Sequence, residues 1–91
     1  MLHSEWDSSK ARSNLAKHGV SFEEASTIFG DFRAITVNDP KHSLLEKRYI
    51  TLGCSYHNRI LVVVHTERAG KVRIISSRPA SRKERYQYDS L

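Results

Sequence analysis

The feature that most constrains this chain is its longest apolar run, Ile60-Leu61-Val62-Val63-Val64, five residues of which four are β-branched. Successive side chains of a strand point to opposite faces, so a strand that is apolar throughout needs cover on both sides. The run therefore asks for a layered fold with a central strand. The chain has 91 residues, which is one domain with one modest core, so the covering elements must come from the same unit, residues 1–91.

The flanks supply candidates for that cover. Asp7 reads as an N-cap for a helix over Ser8–Lys17, with Ala11 and Leu15 on one face and Trp6 at its entry. Lys17 and His18 suit the negative end of the helix dipole, and Gly19 suits the left-handed C-terminal position. Ser21-Phe22-Glu23-Glu24 reads as a capping box opening a second helix, with Phe22, Ala25, Ile28 and Phe29 as its apolar stripe and Gly30 as its end. Strands are expected at Arg33–Val37, Arg48–Gly53, Arg59–Thr66 and Val72–Ser77. A polar loop, Asn38-Asp39-Pro40-Lys41-His42-Ser43, separates the first two, and Glu67–Lys71 forms a hairpin turn between the last two. Pro79 stops further central pairing, and Ala80–Tyr88 reads as a basic terminal helix. The expected order is α-α-β-β-β-β-α: an α+β domain with two N-terminal helices over one face of a four-stranded antiparallel sheet and a C-terminal helix at an edge or over the other face.

Several function classes find no support. Cys54 is the single cysteine, so there is no intrachain disulfide and no CxxC pattern. The five histidines, His3, His18, His42, His57 and His65, show no metal-ligand spacing, and no cofactor is expected. GxxxxGK[ST], GxGxxG and GxSxG are all absent. The N-terminus lacks the apolar core of a signal peptide and no segment could span a bilayer, so a soluble cytoplasmic protein with no membrane partner is expected.

Charge points to a partner. Residues 1–58 balance seven Lys/Arg against seven Asp/Glu, while residues 59–91 hold eight Lys/Arg and three Asp/Glu, which is the whole formal excess of +5. Excess positive charge localised in this way suits a polyanion, most commonly a nucleic acid. Within it, Arg73 lies mid-strand, where an arginine must pair or line a site. Arg78 leaves the last strand beside the rigid Pro79, and its guanidinium fork fits a phosphate. Arg82, Lys83 and Arg85 alternate with Tyr86 and Tyr88 along the last helix, combining cations for phosphates with rings for bases. His65 ends the most apolar strand; burial would lower its pKa and Glu67 would raise it, leaving a candidate for proton transfer or a structural histidine. Lys17 and His18 form a second positive spot.

Three stretches together resemble one family. They are Trp6-Asp7, Lys10, Asn14, Lys17-His18-Gly19-Val20, Phe22 and Ala25; then Arg48-Tyr49-Ile50 and Gly53; then Val62-Val63-Val64-His65-Thr66, Arg73-Ile74-Ile75-Ser76, Arg78, Ala80, Glu84 and Tyr88. The pattern is similar to the BrnT toxins of bacterial type II toxin–antitoxin systems, from about residue 4 to residue 88. The resemblance implies a RelE-like fold and a ribonuclease that arrests translation. It also implies neutralisation by a BrnA-like ribbon-helix-helix antitoxin, and contact with operator DNA only through the toxin–antitoxin complex. One departure stands out: the family often reads Ser-Ala-Arg-Arg-Ala where this chain has Ser76-Ser77-Arg78-Pro79-Ala80.

The resulting expectation is a metal-independent endoribonuclease. An RNA 2′-hydroxyl attacks the adjacent phosphorus, and the enzyme supplies a proton acceptor, a proton donor and cations facing the developing charge. Arg73 and Arg78 are expected on the phosphate, His65 in proton transfer, and Glu84 or Glu67 as its polariser or substitute. Arg82, Lys83, Arg85 and Lys17 would bind flanking RNA, and Tyr86 or Tyr88 would stack a base. The alternative is a non-catalytic nucleic-acid- or partner-binding module whose basic patch docks the antitoxin as a co-repressor.

Overall fold

The computed structural model describes residues 3–39 and 46–90. Its elements are β1 (Ser4–Glu5), α1 (Ser8–His18), α2 (Phe22–Ser26), a 3-10 turn (Thr27–Gly30), β2 (Ile35–Asn38), β3 (Arg48–Cys54), β4 (Ile60–Arg68), β5 (Lys71–Pro79) and α3 (Arg82–Asp89). The apolar run lies in β4, the middle strand of a sheet ordered β1-β5-β4-β3-β2. Of the expected loop at 38–43, Asn38 closes β2 and Asp39 follows it; the rest lies outside the described residues.

The sheet corrects the four-stranded antiparallel layout expected from sequence. Among the described residues it has five strands and is mixed, because β1 pairs in parallel with β5 while the other neighbours are antiparallel. The added strand is two residues long, with Ser4 opposite Val72 and Glu5 opposite Arg73. Two polar residues carry no period-two pattern, so tertiary pairing alone defines them as a strand.

The two layers follow from the register. Leu61 and Val63 of β4, with Val72 and Ile74 of β5, join Val20, Phe22, Ala25 and Ile28 in the core beneath α1 and α2. Each fully buried Phe22, Ile28 or Leu61 contributes about 1.5–3 kcal/mol over its exposed state. A Cβ at Gly53 would lie 3.1 Å from the Ile28 Cβ and 3.2 Å from the Ala34 Cβ, so this glycine lets the 3-10 turn seat directly on β3. Strand β3 presents Leu52 and Ile50 on the opposite face, beside Val62 of β4. There α3 covers part of the sheet, with Glu84 and Gln87 walling a groove floored by Ile35, Val37, Ile50, Leu52 and Val62.

The caps show how similar signals diverge. Asp7 accepts from the Lys10 N–H, and Gly19 closes α1 at φ 67°. At α2, Ser21 Oγ accepts from the Glu24 N–H, but the expected capping box stays open because the Glu24 carboxylate is turned to Arg59 and Ser55. The same Ser-x-x-Glu spacing at Ser81–Glu84 does close as a full box on α3.

Candidate functional site

A bulge in β5 builds the cationic face. The β4–β5 register shifts between Val64 and His65: Ser76 lies opposite Val64 but Ile74 lies opposite His65, leaving Ile75 as the extra residue. Arg73 is opposite Thr66 and Arg78 is opposite Val62. Thr66 and Val62 are four apart on β4 and share a face, so their arginine partners share it too. In an unbulged strand, residues five apart would point to opposite faces. The bulge thus puts Arg73 and Arg78 on the side of the sheet away from α1 and α2.

Each arginine has a carboxylate partner. Arg73 Nη1 donates to Glu5 Oε2 at 3.1 Å, so the unexpected strand β1 delivers the group that neutralises it. Arg78 makes a two-point pair with Glu84: Nη1 to Oε1 at 2.7 Å and Nη2 to Oε2 at 2.9 Å. Glu84 Oε1 also accepts the Ser81 N–H at 2.8 Å. The hydrogen bond from Arg78 outweighs burial and pulls the Glu84 pKa down to about 2, so its carboxylate is ionised at neutral pH. Arg82, Lys83, Arg85 and Tyr86 stand exposed on α3, Tyr86 at 74%. Beyond β5, Lys17 lies apart from Arg78, in a shallow groove with Lys10, Asn14, His18, Ile75 and Ser76. Pro79 pairs with Leu61, on the helix-covered side, so an arginine there would start from the face opposite Arg78.

His65, the expected proton carrier, does not join the arginines. It alternates with Leu61 and Val63 on the helix-covered side and is 4% exposed. Its ring stacks on Tyr49 and meets Phe29 edge-on. Nε2 lies 2.7 Å from Thr51 Oγ1, which is 2.8 Å from Thr36 Oγ1, so a polar row runs from the buried His65 and Thr51 out to the exposed Thr36 across three strands. Nδ1 has no partner. Burial pushes the His65 pKa down to about 4, and Glu67 does not offset it.

Sequence reasoning missed three polar anchors. Asn14 Nδ2 donates to Ser77 O at 2.8 Å and to Val20 O at 3.0 Å, while Asn14 Oδ1 accepts the Ser77 N–H at 3.0 Å. One side-chain amide thus pairs with the β5 edge as a neighbouring strand would. Glu24 is buried and pairs with Arg59 and Ser55, and Arg59 also donates to Gly19 O, tying both N-terminal helices to the β3–β4 turn. Tyr88 donates to Asp31 and lies under Arg33, which pins α3 to the turn before β2. Single polar residues on helices give no signal of a partner tens of residues away.

Among the described residues, no group of three or more His, Cys, Asp or Glu could hold a metal ion, and no helix is long and apolar enough to cross a membrane. Sheet, helices and arginine face define a small cationic α+β domain. Residues 6–84 match the family model described as the ribonuclease toxin, BrnT, of type II toxin–antitoxin systems. The chain belongs to the BrnT family of ribonuclease toxins. Its fold is similar to that of the Brucella abortus ribonuclease toxin BrnT, with a TM-score of 0.68 and 22% identity over 90% of this chain and 100% of that one. A search of the curated proteins finds no significant match.

Proposed function

We propose that this chain is a metal-independent endoribonuclease that arrests translation in the cytoplasm and is neutralised by a BrnA-like ribbon-helix-helix antitoxin. The observation that carries this reading is the bulge-dependent placement of Arg73 and Arg78 on one face beside the basic helix α3. Two guanidinium groups on one surface suit an RNA phosphate and the charge that grows on it as the 2′-hydroxyl attacks. Arg82, Lys83 and Arg85 hold flanking phosphates, Tyr86 stacks a base, and Lys17 adds a contact beyond β5. Glu84 acts through Arg78, and His65 supports the core. Operator DNA is met only through the antitoxin.

The test incubates purified protein and its Arg78→Ala variant with RNA in EDTA. Loss of one transition-state cation lowers the cleavage rate by about 10²–10³-fold. EDTA-resistant cleavage that falls with Arg78→Ala is the expected result; cleavage unaffected by the substitution removes Arg78 from the site.

A second reading has its own support. Of the two expected proton carriers, His65 is on the other face and Glu84 is held at a pKa of about 2. A face rich in cations without a placed proton carrier also fits a co-repressor module that binds without cutting. Tight RNA binding with no cleavage would favour it.

A further inference from the structure

Resting on the reading of Arg78 as an RNA-phosphate contact, we propose that Glu84 is a built-in competitor for that phosphate, occupying the Arg78 guanidinium until RNA displaces it. The two Glu84 oxygens take Nη1 and Nη2 of Arg78 at 2.7 and 2.9 Å. The two non-bridging oxygens of a phosphodiester would take this same two-point grip. Nη1 additionally lies 3.4 Å from Pro79 O, so the end-on Nη1/Nη2 edge is committed. RNA therefore cannot take this end-on edge of the guanidinium while Glu84 stays.

The pair is built to exchange. The Arg78 and Glu84 side chains are 46% and 27% exposed, so solvent weakens the attraction and leaves the guanidinium reachable. Glu84 also keeps an anchor when it leaves, because the Ser81 N–H already donates to Oε1. The carboxylate is ionised across the neutral range, so a competing anion releases it and a modest pH change does not. A partner carboxylate placed on Arg78 would use the same vacated fork.

A positioning role for Glu84 predicts the opposite outcome, since a residue that orients Arg78 for RNA should weaken binding when removed. The experiment measures fluorescence anisotropy with a short 2′-O-methyl RNA, which cannot be cleaved through its 2′-oxygen. Glu84→Gln should bind roughly threefold to fivefold tighter than the parent. Glu84→Asp keeps the charge but shortens the reach to Arg78, and should also bind tighter. In an Arg78→Ala background the gain from Glu84→Gln should vanish. Ser81→Ala loosens the start of α3 without removing the carboxylate, and thermal unfolding beside each titration confirms the fold. If Glu84→Gln binds equally or more weakly while Arg78→Ala loses affinity, the competitor role is overturned and the site stands. If Arg78→Ala binds RNA as well as the parent, the site itself is overturned and the competitor role falls with it.

Discussion

His65 carries a consequence that can be read by titration. Its pKa is about 4 in the folded chain, against an ordinary value of 6.5. The unfolded chain thus binds the extra proton first, and stability is fully present above pH 6.5 and falls as pH drops towards 4. A shift of this size corresponds to about 3 kcal/mol across the window, with the carboxylates contributing below it. Urea unfolding between pH 4.5 and 7 should show this slope, and His65→Gln should flatten it. An unchanged slope in the variant would place the titrating group elsewhere. Period two put His65 on the face of Leu61 and Val63, which was legible in sequence; that this face lay beneath the helices, opposite the arginines, was not. Sequence gives alternation within a strand but not which side of the sheet receives which helix.

At the scale of elements, helices and strands were legible wherever capping or periodicity was local. The Asp7 cap, Gly19 and the β4 run all agree with the observed segments. What escaped was pairing: β1 has no pattern of its own, and a single extra residue such as Ile75 leaves no mark in composition. The placement of α3 illustrates the same limit. Its basic face was readable, but its docking depends on Tyr88 reaching Asp31, 57 residues away in sequence. Burial and the Asp31 carboxylate raise the Tyr88 pKa to about 12, so the phenol stays protonated and donating. Tyr88→Phe removes one charge-assisted hydrogen bond and should cost about 1.5–3 kcal/mol in chemical denaturation. Hydrogen exchange should show the loss concentrated in α3. A variant as stable as the parent would mean that the ring and its Arg33 contact suffice to hold the helix.

For the molecule as a whole, the uneven charge of the sequence becomes a division of labour between the two sheet faces. The helix-covered face holds the apolar core and the Thr36–Thr51–His65 row, and the opposite face holds the arginines beside a groove. The sheet that separates them has an edge to protect. Among the described residues, β1 covers β5 only at Val72 and Arg73, and Asn14 takes over at Ser77. An open strand edge is a template for another chain, and charge or cover is the usual defence. Asn14→Ala would leave the Ser77 amide and carbonyl without these partners, costing about 2–3 kcal/mol. It should also make the sedimentation profile grow heavier with loading more steeply than that of the parent; an unchanged dependence would show the edge to be shielded by other means. One amide on α1 would then govern whether these domains stay separate or stack strand on strand in a crowded cell.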